Sequence, residues 1–316
     1  MLEIRLSEER IAAMHLKKEI TGPVHLYTGQ EAIAAGVCAH LNKDDYVFSN
    51  HRSHGHFIAK GACLEALFAE LFGRLGGCSK GKGGSMHLVD TSVGYMGSSS
   101  IVAGNIPICV GVGLALKLKR SRNISVCFFG DGAVDEGAFY ESLNFASLKD
   151  LPVFFVCENN FYAICSHQSK RQKNDDIYKR SIALGVPAKR LDGNDVLEIE
   201  AESARIIKSM RRQQGPYLIE CRTYRWMSHA GPKEDTHLGY RCQEELDYWK
   251  SRCPIKRMEG FLFKKNIITK QQSMDIRSDI LGRIDQAVSF ARRSPAPASC
   301  DLLEDVTSKR ILKVCA

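Results

Sequence analysis

Two short apolar runs, Ser125 to Phe129 and Pro152 to Cys157, flank a helical pattern with Phe139, Leu143 and Ala146 on one face. Runs of this length that are apolar throughout, rather than alternating, read as strands buried on both faces. A helix between two such strands makes a βαβ unit, whose strands must be parallel. The first run leads into Gly130-Asp131-Gly132 and the second into Glu158-Asn159-Asn160-Phe161-Tyr162. Both oxygen-rich strand ends therefore face one crevice, and in open α/β sheets that crevice is where ligands bind. Asp131 and Asn160 are expected side by side there. A few hard oxygen ligands with the other positions left open suit magnesium shared with a diphosphate. Gly130 and Gly132 would let the backbone approach that diphosphate closely.

Further elements follow along the chain. Residues 1–21 read as a helix stopped by Gly22-Pro23, and 29–41 as a small-residue helix able to pack closely against a neighbour. A strand is expected over 45–49, a helix over 63–73, and a long Gly/Ser/Lys-rich loop over 76–100. A helix over 106–119 opens with Pro107 in its first turn. Residues 165–181 read as a mobile polar loop. A strand at 188–191, a helix at 196–213 and a strand at 217–225 make a second crossover. After a polar segment at 226–241, helices are expected at 243–252, 257–265 and 269–294. The expected fold is a single α/β domain over 1–316, with a doubly wound, mostly parallel sheet and helices on both faces. Its core spans about 25–230, with helical N- and C-terminal extensions, the latter over 231–316.

Twelve cysteines are scattered with no Cys-x-x-Cys pair, and several lie in apolar runs. Free thiols in a reducing compartment are expected, not a disulfide scaffold. Net charge is +8, but no helix carries a Lys/Arg stripe interleaved with aromatics, so nucleic acid is not the expected partner. No apolar run nears the ~20 residues that span a bilayer. Met1 to Lys18 mixes charges, acidic ones included, with apolar residues, unlike a signal or transit peptide. A cytoplasmic protein is expected. Gly76, Gly81 and Lys82 match most of a phosphate loop, but Gly83 stands where a hydroxyl is required and no strand precedes it. An interface loop fits better. His51, His54 and His56 have the look of a zinc cluster, the outside alternative to cofactor contact.

The Gly130-Asp131-Gly132 and Asn159-Asn160 pair is joined by His25-Leu26-Tyr27-Thr28-Gly29-Gln30-Glu31-Ala32, by Lys80-Gly81-Lys82-Gly83-Gly84-Ser85-Met86-His87 and by Thr223-Tyr224-Arg225. The pair resembles the thiamin-diphosphate motif. From His25 to about Arg257 the chain resembles the alpha subunit of the decarboxylating component of 2-oxo acid dehydrogenases, of pyruvate, branched-chain or acetoin type.

The resemblance implies thiamin diphosphate and magnesium as cofactors. It assigns the metal to the Asp131 and Asn160 side chains and the Tyr162 backbone carbonyl, with Asn159 supporting the turn. Cofactor contacts would come from His25, His51, Arg52, Ser100, Val102, Gly130, Asp131, Gly132, Ala133, Asn160, Tyr162 and His229. Arg52 would meet the diphosphate bidentately. His229 matches the family's active-site histidine, expected to steady charge during acyl transfer. Ser100 stands where many pyruvate-type members have Gly, and Met227 where many have His. Ala230 stands where a regulatory serine often lies, so that phosphorylation control should be absent. The family also implies a beta subunit supplying a glutamate to the pyrimidine ring, an α2β2 assembly, and no activity of this chain alone. A small 2-oxo acid would be the substrate and a lipoyl acyltransferase the acyl acceptor. The alternatives are an acetoin-cleaving or acyl- or acetaldehyde-transferring relative and, in a different class, a non-catalytic cofactor-binding regulatory subunit.

Overall fold

The computed structural model describes residues 1–212 and 215–305. The last residue of the helix expected over 196–213, and the end of the C-terminal extension at 306–316, lie outside them.

Eight strands occur in chain order: β1 (Tyr46–Ser49), β2 (Tyr95–Ser98), β3 (Ser125–Gly130), β4 (Val153–Asn159), β5 (Tyr162–Ala163), β6 (Ser166–His167), β7 (Ala188–Asp192) and β8 (Tyr217–Arg222). Six of them form one sheet in the order β2-β1-β3-β4-β8-β7, and every pairing in it is parallel. The fold is the expected α/β class. β4 is buried along its whole length and β3 along all but its last residue. Their side chains alternate between two cores because successive residues of a strand point to opposite faces. Val126, Phe128, Phe154 and Val156 join one core, and Cys127, Phe129, Val153, Phe155 and Cys157 the other.

The first core is covered by the helices Leu2–Leu16, Glu31–Cys38, Leu64–Leu71, Val196–Met210 and Lys270–Arg293. The second is covered by Asn105–Leu118 and Gly137–Leu148. Ile280, Ile284, Ala287, Val288 and Ala291 belong to the first core, so the C-terminal helix is built into the body of the fold.

Four regions depart from the sequence reading. The N-terminal helix ends at Leu16, because Lys18 turns into the left-handed region at φ 61°. The stretch 76–100 is not all loop. It contains β2, an edge strand without apolar alternation, held by an Asp90–Tyr95 bridge and by Val47 N–H donating to Gly94 O at 2.8 Å. Residues 165–181 hold part of a β5–β6 hairpin and the helix Gln168–Arg171, with a further helix at Ile177–Ala183. The short helix His54–Ala59 was not anticipated.

From β1 the chain runs outward to β2, then returns to place β3 on the other side of β1. The order reverses there, and a crevice opens beyond the carboxyl ends of the strands at such a point.

Candidate active site

A cavity of about 520 Å³ lies at these strand ends. All twelve residues singled out from the sequence line it: His25, His51, Arg52, Ser100, Val102, Gly130, Asp131, Gly132, Ala133, Asn160, Tyr162 and His229. They come from segments more than 200 positions apart, gathered by β1, β3, β4 and the segment after β8.

Asp131 opens a tight turn, Asp131–Asp135, directly after β3. Its Oδ2 pairs with Arg171, whereas Oδ1 is buried with no hydrogen-bond partner. Burial raises the Asp131 carboxyl above its usual value, with the Arg171 guanidinium opposing that shift. The Asn160 amide donates to Gln30 Oε1 at 2.9 Å, and its oxygen accepts from Tyr162 N–H at 3.3 Å. The Tyr162 hydroxyl donates to Glu245 at 2.7 Å. Asn159 does not line the cavity. Its amide donates to Gln168 and Glu220 and its oxygen accepts from Phe161 N–H, which holds the turn. A Cβ at Gly132 would lie 2.9 Å from Ala163 Cβ. A Cβ at Gly130 would meet nothing closer than 4.0 Å, so its missing side chain leaves space in the cavity.

Arg52 is almost wholly buried and has no ion-pair partner among the described residues. Its two terminal nitrogens donate to Leu26 O at 2.7 Å and His229 O at 3.0 Å. The guanidinium fork is thus engaged by carbonyls rather than free for a bidentate grip. Burial, followed by the nearby Arg225, pushes its pKa down to about 9, with the more distant carboxylates of Glu8 and Glu158 opposing the shift. His25, His51 and His229 form a triangle with ring centroids 4.8, 5.1 and 5.2 Å apart. Burial, followed by the charge of Arg52, pushes them down to about 2, 3 and 4. All three are neutral imidazoles near pH 7.

The zinc alternative fails on geometry. His54 turns to Glu8 and Ser85, and His56 to Ser49 and Glu158, while only His51 enters the cavity. The ligand atoms of His25, His51 and His229 do lie within 4.8 Å of one another. The positive field of Arg52 beside them opposes a cation and favours an anion.

Sequence reasoning missed several cavity residues. Gln30 holds Asn160 from across the fold, and Glu158 accepts from the Tyr27 hydroxyl and pairs with His56 at 2.9 Å. Glu158 carried a signal, as an acid at the end of a buried strand next to Asn159-Asn160. Met86 and Ile164 also line the cavity, Ile164 at φ 53°, a strained value for a β-branched residue.

A family model described as the dehydrogenase E1 component matches residues 1–300. The chain belongs to this family. It is 40% identical over 307 residues to the alpha subunit of acetoin:2,6-dichlorophenolindophenol oxidoreductase from Bacillus subtilis, covering 97% of this chain and 91% of that one. It is 36% identical over 309 residues to the pyruvate dehydrogenase E1 alpha subunit of Porphyra purpurea, covering 96% and 89%. It is 33% identical over 307 residues to that of Rhizobium meliloti, covering 97% and 87%. Membership of the E1 family implies thiamin diphosphate as cofactor. The residues present fit such a group. A buried guanidinium without an ion-pair partner among the described residues, three neutral imidazoles and the open space at Gly130 accommodate a dianion, and the orphaned Asp131 oxygen calls for a cation.

Proposed function

We propose that this E1 chain is the alpha subunit of an α2β2 thiamin-diphosphate-dependent 2-oxo acid dehydrogenase. It would act on a small 2-oxo acid, pass the acyl group to the lipoyl group of an acyltransferase, and be inactive without its beta subunit. The observation that carries this reading is the buried, unpartnered Oδ1 of Asp131 in the same cavity as the buried Arg52 guanidinium, which has no ion-pair partner among the described residues. Magnesium would be held by the Asp131 carboxylate, the Asn160 side-chain oxygen and the Tyr162 carbonyl. A divalent cation held there would satisfy the orphaned oxygen of Asp131 and offset the charge of the diphosphate. Arg52 would balance the diphosphate by charge, with His25, His51, Gly130, Gly132 and Ala133 around it, and Ser100 and Val102 at the pyrimidine end.

Thiamin diphosphate, once bound, supplies the carbon nucleophile and electron sink for decarboxylation. This chain's part is to hold the diphosphate, exclude water and place neutral imidazoles beside the reacting groups. His229 is tethered to Arg52 through its backbone oxygen, which leaves its ring nitrogens free to take or give a proton. The carboxylate for the pyrimidine ring would come from the beta subunit.

A cytoplasmic location belongs to the same proposal, supported by eleven described cysteines that are all free thiols. Among the described residues no helix is long and apolar enough to cross a membrane. The 40% identity to an acetoin oxidoreductase subunit favours a second reading, in which an acyloin is cleaved on the same cofactor. Purifying the chain with its beta partner and assaying pyruvate, branched 2-oxo acids and acetoin with an artificial electron acceptor separates the two. Turnover of none of them, with metal-dependent cofactor binding intact, would leave the regulatory-subunit reading.

A further inference from the structure

Glu70, on the helix Leu64–Leu71, is 1% exposed and has no ion-pair partner among the described residues. Its carboxylate accepts four backbone N–H groups from the glycine-rich string that followed the look of a phosphate loop. Oε2 takes Ser79 N–H at 2.7 Å and Gly81 N–H at 2.9 Å, and Oε1 takes Gly83 N–H at 2.7 Å and Gly84 N–H at 3.1 Å. Successive N–H groups turned to one side make an anion-binding concavity. Here the anion is internal. Two of the glycines allow close approaches that this wrapping needs, one to Glu70 and one to the backbone of His87. A Cβ at Gly77 would lie 2.3 Å from Glu70 Oε2, and one at Gly83 2.3 Å from His87 O.

After Gly84 the string runs on through Ser85 and Met86. Ser85 Oγ lies 2.8 Å from His54 Nε2 and accepts from His25 N–H at 3.4 Å, and Met86 is on the cavity wall. His54 Nδ1 meets Glu8 at 3.1 Å, and Glu8 also accepts from Tyr27 N–H at 2.9 Å. Ser85, His54 and Glu8 thus have the order of a hydroxyl–imidazole–carboxylate triad. They do not form a nucleophile, because Ser85 is off the cavity wall and the adjacent Gly83 and Gly84 N–H groups are taken by Glu70.

We propose that Glu70 is a positioning residue of the active site. It fixes the loop 79–84 and, through Ser85 and Met86, the wall of the cavity that carries His25. The effect on the loop is independent of the cofactor, and only the effect on the cavity rests on the thiamin-diphosphate reading.

Glu70→Gln keeps the shape of the side chain but turns an NH₂ against two N–H donors. Trypsin should then cut the full chain at Lys80 and Lys82, both exposed, at least about tenfold faster than wild type. Loss of one charge-assisted hydrogen bond implies a factor of that size. With the beta partner present, the KM for thiamin diphosphate should rise by about tenfold or more while kcat changes less. A folded Glu70→Gln chain with wild-type cleavage overturns the proposal. If cleavage rises and the KM does not, the link from loop to cavity is overturned. If wild type itself binds no thiamin diphosphate, the functional reading fails while the cleavage comparison still decides Glu70's role. Should Glu70→Gln not fold, Gly83→Ala strains the same loop without touching the helix. Faster cleavage of Gly83→Ala at both lysines supports the proposal, and unchanged cleavage overturns it.

Discussion

Arg171 grips Oδ2 of Asp131 while Oδ1 of the same carboxylate stays buried and unpartnered. The arginine fixes the rotamer and leaves one oxygen for a ligand. Asp131→Asn should therefore weaken metal-dependent thiamin-diphosphate binding by at least about 100-fold, more than outer-shell changes at metal sites usually do. Calorimetry with magnesium and the beta partner checks it, and wild-type affinity would remove Asp131 from the metal site.

Substitution of His229 separates binding from turnover. Arg52 holds the backbone oxygen of His229, not its ring, so His229→Ala keeps that tether. Turnover should fall by roughly 10²–10⁴, as for other positioned proton-transfer groups, with cofactor affinity changed far less. Steady-state kinetics against cofactor and substrate tests this.

The three buried imidazoles set a pH dependence of stability. Each would titrate near 6.5 in the unfolded chain but only at about 2, 3 and 4 when folded. Between about pH 6.5 and 4 the unfolded state therefore binds more protons. The stability they contribute is complete above about pH 6.5 and is lost as pH falls below it, down to about 4 for His229, 3 for His51 and 2 for His25. Urea midpoints at about pH 7.5 and about pH 5 should differ less in His229→Gln than in wild type. Equal differences would contradict the neutral-histidine assignment.

Asp235 holds the segment that carries His229. It pairs with Arg241 at 2.5 Å and Arg225 at 3.5 Å, and Arg241 also donates to the carbonyls of Arg225, Trp226 and Met227. Asp235→Asn leaves two buried guanidinium groups uncompensated, at a cost of about 3–5 kcal/mol. Urea denaturation measures it.

An exposed apolar ridge offers a surface for the proposed beta subunit. Ile108 and Leu118 on the helix Asn105–Leu118 are 54% and 76% exposed, and Val102, which lines the cavity, and Ile101 are exposed just before that helix. Ile108→Asp should leave the fold intact and reduce beta-subunit affinity by at least about tenfold, since central apolar contacts dominate interfaces. Analytical ultracentrifugation of the mixed chains decides.

What the sequence disclosed depended on how local the signal was. β3 and β4 were legible because their runs are apolar throughout, whereas the twelve cavity residues were named through the family resemblance that a few short strings carry. β2 was not, since Tyr95-Met96-Gly97-Ser98 has no alternation and is a strand only through its pairing with β1. Arg171 and Gln30 reach their partners across 40 and 130 positions, contacts that no spacing reveals. The small-residue helix was expected to pack closely, and it does so within its own chain: a Cβ at Gly36 would lie 2.8 Å from Ile199. Seven of the eight residues of Glu31–Cys38 are buried.

The glycine-rich string carries its own counter-ion from nine residues upstream of its first contact. It cannot be moved into another protein as a cassette, because without that helix its N–H groups would turn to water or capture a free anion. In its own chain the loop is shaped by synthesis rather than by assembly. Phosphate in the buffer should then leave it unmoved, and a partner chain would dock against a wall already standing.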